Sequence, residues 1–195
     1  MKTLINPFEI YKERNLLIVG VVFALLTALV SSYTNHLLFG SLKVISNHSQ
    51  TWYEAILNIA ITLLTNTVIL YVFARLRYAK IRFIDVLNVV LVSHLVLYLM
   101  LFLTVLPPVQ NAVTAVELEV LDKGFAAPEL SMVHMFTLGA FGVLVICLLI
   151  YFFYFLVVGM KIAMNSKRKL DVFLIILLVF VWNTILQFLN PFLTT

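Results

Sequence analysis

The chain has 195 residues, 63% of them hydrophobic and 11% charged, with mean hydropathy +1.09 and a formal net charge of +4. A water-soluble domain carries about 25% charged residues, so the composition excludes a surface that faces water throughout, and lipid must cover most of the chain. The cations sit in short segments beside long uncharged runs, where anionic headgroups attract them, which argues against nucleic acid as a partner.

One domain is expected at this length. The lone Cys147 lies in an apolar run and has no partner for an intramolecular disulfide. The uncharged run after Arg14 lasts to Leu42, longer than the core of a signal peptide, and reads as a retained first helix.

Residues 1–15 read as a cytoplasmic segment with a short interfacial helix. Asn6 can cap it, Pro7 fits the first turn, and Glu9 suits the positive end of the dipole. Phe8, Ile10 and Tyr11 would dip into the interface while Lys12 and Arg14 hold to headgroups; a frayed tail is the alternative. Residues 16–195 read as one transmembrane domain.

The first spanning helix is expected over residues 16–39. Gly20, Ala24, Ala28 and Ser32 recur every four residues, with His36 and Gly40 in the same register. Small side chains at that spacing let another helix approach closely, either within the bundle, which is the reading preferred, or across a dimer. A short polar loop follows, and Trp52 and Tyr53 suit a membrane interface.

The second helix is expected over residues 55–74, with Asn58, Thr62, Thr65 and Asn66 on one face that should turn into the bundle. Arg75, Arg77, Lys80 and Arg82 then form a basic link. Each cation would cost about 2.5–3.5 kcal/mol at a membrane centre, so the link pins two helices to one side. The third helix is expected over residues 83–106, stopped by Pro107-Pro108, with Asp85 near its start and Asn88, Ser93 and His94 inside.

Residues 109–124 read as an outer amphipathic helix. Val109, Ala112, Val113, Val116 and Val120 form its stripe, and Gly124 ends it. The fourth spanning helix is expected over residues 133–160, where Gly139, Ala140 and Gly142 allow close packing or a mild bend. Lys161, Lys167, Arg168 and Lys169 make a second basic link. The fifth helix is expected over residues 170–189, with Asn183, Gln187 and Asn190 as its polar stripe.

Eleven of the thirteen Lys and Arg fall in residues 1–15, 75–82 and 161–169. The other loops hold Lys43 and Lys123 beside Glu117, Glu119, Asp122 and Glu129. An all-α bundle of five transmembrane helices, N-terminus cytoplasmic and C-terminus outside, satisfies the positive-inside rule at every loop.

Asn66 lies nine residues before Arg75, and His94 nine after Asp85. At the helical rise both stand roughly 13 Å above the inner link. Asn66 and His94 are expected to meet, with Asn183 nearby, either as a polar pathway or as an interhelical hydrogen bond. His36, His48 and His134 lack the spacing of a metal motif, so no metal or other cofactor is expected. Phosphate loops, dinucleotide fingerprints, serine elbows and paired cysteines are absent, and the chain reads as non-enzymatic.

The layout resembles the Ypt-interacting-protein (Yip) family in its short bacterial form. The resemblance covers almost the whole chain and rests on Asn6-Pro7-Phe8, on the basic link into Phe83-Ile84-Asp85-Val86-Leu87, and on Val158-Gly159-Met160-Lys161. It implies five spans, a cytoplasmic N-terminus and, for eukaryotic members, work in membrane trafficking with Rab GTPases. This chain lacks the long N-terminal region of those members and has Val92-Ser93-His94 where many carry Gly-Tyr, so GTPase binding and family binding residues are not carried over.

The expected location is a bacterial cytoplasmic membrane. The expected partners are membrane lipids and other membrane proteins or a second copy. The expected role is the organisation of membrane or partner proteins through lateral helix contacts. A small transporter or channel using Asn66, His94 and Asn183 is the alternative.

Overall fold

The computed structural model describes residues 6–38, 44–45, 48–78, 80–124 and 130–188. Seven helices occur among them: α1 (Pro7–Ile10), α2 (Glu13–Tyr33), α3 (Trp52–Arg77), α4 (Phe83–Thr104), α5 (Pro107–Lys123), α6 (Met132–Met164) and α7 (Lys169–Phe188). Two-residue strands β1 (Leu37–Leu38) and β2 (Val44–Ile45) pair antiparallel, Leu37 opposite Ile45. Five helices, α2, α3, α4, α6 and α7, are long and apolar enough to cross a membrane.

The first long helix ends at Tyr33, not at residue 39. Three hydroxyls compete with the helical ladder there. Thr34 Oγ1 donates to the Val30 carbonyl at 2.7 Å, Ser32 Oγ donates to the Gln50 carbonyl at 3.0 Å, and Ser31 Oγ donates to the His36 carbonyl. Asn35 then takes a left-handed φ of 54°, which ends the helix and sends the chain into β1. His36 is therefore not on the small-residue stripe: it is buried beyond the helix, its Nδ1 2.7 Å from the Thr34 carbonyl. Gly40 and Lys43 lie outside the described residues.

Helix α3 starts at Trp52 because Thr51 and Glu54 form a capping box, with Thr51 N–H donating to Glu54 Oε2 at 2.6 Å. Pro107 and Pro108 close off α4 and open α5, since proline lacks a donor that a first turn does not need. Gly124, at φ 64°, ends α5. Val109 and Ala112 of its stripe are buried, whereas Val120 is exposed; α5 packs against α6. Ser131 caps α6, whose 33 residues run about 50 Å at the helical rise. That exceeds a hydrocarbon core of about 30 Å.

Helix α4 is the axis of the molecule. It packs against α2, α3 and α6, while α7 leans on α3 and α6. Within its apolar window 72% of residues are buried, against 17% for α6, the most hydropathic of the five. Two glycines allow the neighbours of α4 to come close. A Cβ on Gly20 would stand 2.6 Å from Leu91 Cβ, and one on Gly159 would stand 2.7 Å from Val89 Cγ1 and 2.8 Å from Phe8 Cζ. Gly20, Ala24 and Ala28 are buried and Ser32 is half-buried, so this stripe lies at least partly inside the bundle.

Candidate functional site

Three polar clusters stand out along the bundle. The innermost pairs α3 with α7. Asn183 Nδ2 donates to Asn66 Oδ1 at 3.0 Å, and both amides also reach back one turn, Asn66 to the Thr62 carbonyl at 2.8 Å and Asn183 to the Val179 carbonyl at 2.8 Å. Both residues are buried. His94 of α4 is buried too; its Nδ1 lies 2.7 Å from the Val90 carbonyl. The ring meets Phe152 edge-on at 5.3 Å and Tyr98 at 6.4 Å. A hydrogen bond of this kind between membrane helices contributes on average about 0.6 kcal/mol and up to about 2. Asn66→Leu and Asn183→Leu, singly and together, should therefore show a coupling of about 0.6–2 kcal/mol in unfolding by denaturing detergent.

A second cluster ties the two basic links together. Asp171, at the start of α7, is fully buried. Arg77 Nη2 lies 2.9 Å from its Oδ1, and Ser166 Oγ and the Tyr78 hydroxyl both donate to its Oδ2. The Tyr78 hydroxyl also lies 2.9 Å from Ser166 Oγ, and the Arg77 guanidinium sits 5.7 Å over the Phe73 ring. Nothing in the sequence pattern marked Asp171, which looks like an ordinary acidic residue in a first helical turn.

At the same end, Arg82 donates to both Asp85 and Glu13, with Nη2 2.8 Å from Glu13 Oε2. Asp85 first, and then Glu13, holds the Arg82 guanidinium pKa above its usual range. The start of α2, the link carrying Arg75, Arg77, Lys80 and Arg82, and the link carrying Lys161, Lys167, Arg168 and Lys169 thus meet at one end of the bundle. Arg75, Lys80, Arg82, Lys167, Arg168 and Lys169 are exposed there.

The third cluster closes the opposite end. Gln50 Nε2 donates to Ser31 Oγ at 2.8 Å and to the His36 carbonyl at 2.7 Å, and Asn58 Nδ2 lies 3.5 Å from Gln50 Oε1. Lys123 pairs with Glu119 at 3.2 Å. Among the described residues no group of three or more His, Cys, Asp or Glu can hold a metal. Glu129 and Asn190 lie outside the described residues, as does the side chain of Gln187.

These features define an all-helical protein with five helices able to cross a membrane and polar clusters at both ends and in the middle. Comparison with protein-family models, with curated proteins and with solved structures found no match.

Proposed function

We propose that this chain is a non-enzymatic polytopic membrane protein of the Yip type, which organises membrane or partner proteins through lateral helix contacts. It crosses a bacterial cytoplasmic membrane five times. The basic end faces the cytoplasm, because lysines and arginines beside membrane spans are retained on that side; the N-terminus is then inside and the C-terminus outside.

The observation that carries this reading is the way the buried polar groups are used. Asn183 bonds Asn66 across α3 and α7, all three side chains reach carbonyls one turn back, and the Phe152 ring meets His94 edge-on. Polar side chains so engaged hold helices together, which favours a packed interior over a solute pathway. Three cavities of 210–300 Å³ elsewhere in the protein are lined by other residues.

The test is crosslinking in native membranes combined with reporter tags on the two chain ends. Recovery of a reproducible protein partner, with the two tags in opposite compartments, is the expected result. Both tags in one compartment would refute the five-span arrangement. Solute flux in liposomes that His94→Leu abolishes would replace the organising role with the transport alternative.

A further inference from the structure

Beyond the central clusters, a cavity of about 300 Å³ opens at the basic end, between α1 and the adjoining ends of α2, α4 and α6. Glu13, Arg82, Asp85 and Asn88 supply its polar wall, and Phe8 and Ile162 are among its apolar residues. Its formation follows from the packing: Phe8 meets Phe155 edge-on at 6.3 Å and sits where a side chain on Gly159 would be, so α1 folds back over the bundle.

We propose that this cavity holds the headgroup of a phospholipid bearing a primary ammonium, with the phosphate on Arg82 and the ammonium between the carboxylates of Glu13 and Asp85. The proposal rests on the membrane-spanning reading above.

Three observations support it. Arg82 uses Nε and Nη2 on the two carboxylates, and Nη1 makes no hydrogen bond among the described residues, so its two N–H groups remain for a phosphate oxygen. Two carboxylates face one guanidinium, which leaves the cavity one negative charge in excess. That excess opposes a purely anionic headgroup and suits one that brings its own cation. Asn88 is only 4% exposed, and its Oδ1 has no hydrogen-bond partner, while its Nδ2 lies 3.3 Å from the Glu13 carbonyl. A buried acceptor without a donor is costly, and a primary ammonium has three N–H groups to give. A quaternary choline headgroup has none and cannot satisfy the carboxylates or the amide in this way.

The depth is also right. Glu13 and Arg82 stand at the ends of α2 and α4, and the apolar residues continue from there toward the bundle. A lipid of the cytoplasmic leaflet would place its phosphate at the helix ends and its chains against the helices.

The full chain should be placed in nanodiscs made from equal parts of phosphatidylethanolamine, phosphatidylglycerol and phosphatidylcholine, and the lipid it retains counted by native mass spectrometry. Preferential retention of phosphatidylethanolamine is expected. It should fall about tenfold in Glu13→Gln and in Arg82→Gln, the scale of one charge-assisted hydrogen bond. Lys123→Gln, at the other end of the bundle, should leave it unchanged. Circular dichroism confirms that each variant is folded, and Glu13→Asp, which keeps the charge, should retain the preference.

Equal retention of the three lipids, or a preference untouched by Glu13→Gln and Arg82→Gln, overturns the proposal. So does binding of soluble phosphoethanolamine to delipidated protein as tight as that of the lipid, since the site would then recognise a free solute. Failure of the chain to insert into nanodiscs overturns the membrane reading with it, whereas insertion without headgroup preference overturns the site alone.

Discussion

Arg77→Met should destabilise the bundle by about 2–4 kcal/mol, more than Asp171→Ala does, although both remove the same ion pair. The asymmetry comes from burial. The Asp171 side chain is 0% exposed and the Arg77 side chain 28%. Without Arg77, a carboxylate stays buried with two hydroxyl donors and no facing cation on α3. Without Asp171, the Arg77 side chain can swing toward water or headgroups, and Tyr78 and Ser166 still have each other at 2.9 Å. The full range for breaking a buried pair reaches about 5 kcal/mol; partial exposure of Arg77 keeps the expectation below that. Replacing both residues by apolar ones, Arg77→Met with Asp171→Leu, should recover most of the loss, because a buried ion pair often contributes no more than a well-packed apolar pair. Unfolding midpoints in mixed detergent, taken for the two single variants and the double, measure all three. If Asp171→Ala proves the costlier single change, the charge is not what α7 depends on at this end.

The five long helices were legible because apolar runs of about 20 residues separated by charged turns have few options besides a helix. Their ends were less legible wherever hydrogen bonds decided them. The run from Leu16 to Phe39 carries no charge, and its polar interruption at Ser31-Ser32 and Thr34-Asn35-His36 is what ends α2 early, through the three hydroxyls and the left-handed Asn35.

Counting from the basic link gives Asn66 and His94 an expected height and no lateral neighbours: the bond from Asn66 to Asn183, 117 positions away, depends on which helices pack together. The cluster around Asp171 was hidden for the same reason: its partners Arg77 and Tyr78 lie on the other side of two long helices in the chain. Hydropathy did not reveal which helix would be central. In water the most apolar element goes to the middle, but lipid is as apolar as a protein core. Helix α6 has the highest hydropathy, 2.9, and the smallest buried share, which fits the membrane-spanning reading proposed above.

The same blindness applies to small residues, and it makes a sharp expectation: Gly20→Ala should destabilise the protein by about 1–3 kcal/mol, the usual penalty for overpacking, while Gly139→Ala should be neutral or slightly stabilising. The sequence offers the two glycines as equivalent places for close approach. In the structure a Cβ on Gly20 falls 2.6 Å from Leu91 Cβ, whereas one on Gly139 meets nothing within 4 Å. The clash at Gly20 cannot be relieved by turning a side chain, because Leu91 Cβ is fixed to the backbone of α4; α2 and α4 must move apart. Leu91→Ala should therefore fail to rescue Gly20→Ala, since alanine keeps the offending atom. At Gly139, alanine only removes the conformational freedom that glycine has when unfolded, a gain of roughly 0.5–1 kcal/mol in a helix. Unfolding of the two single variants in detergent decides the matter. Equal effects at both positions would mean that α2 and α4 are not held at the close distance that Gly20 permits.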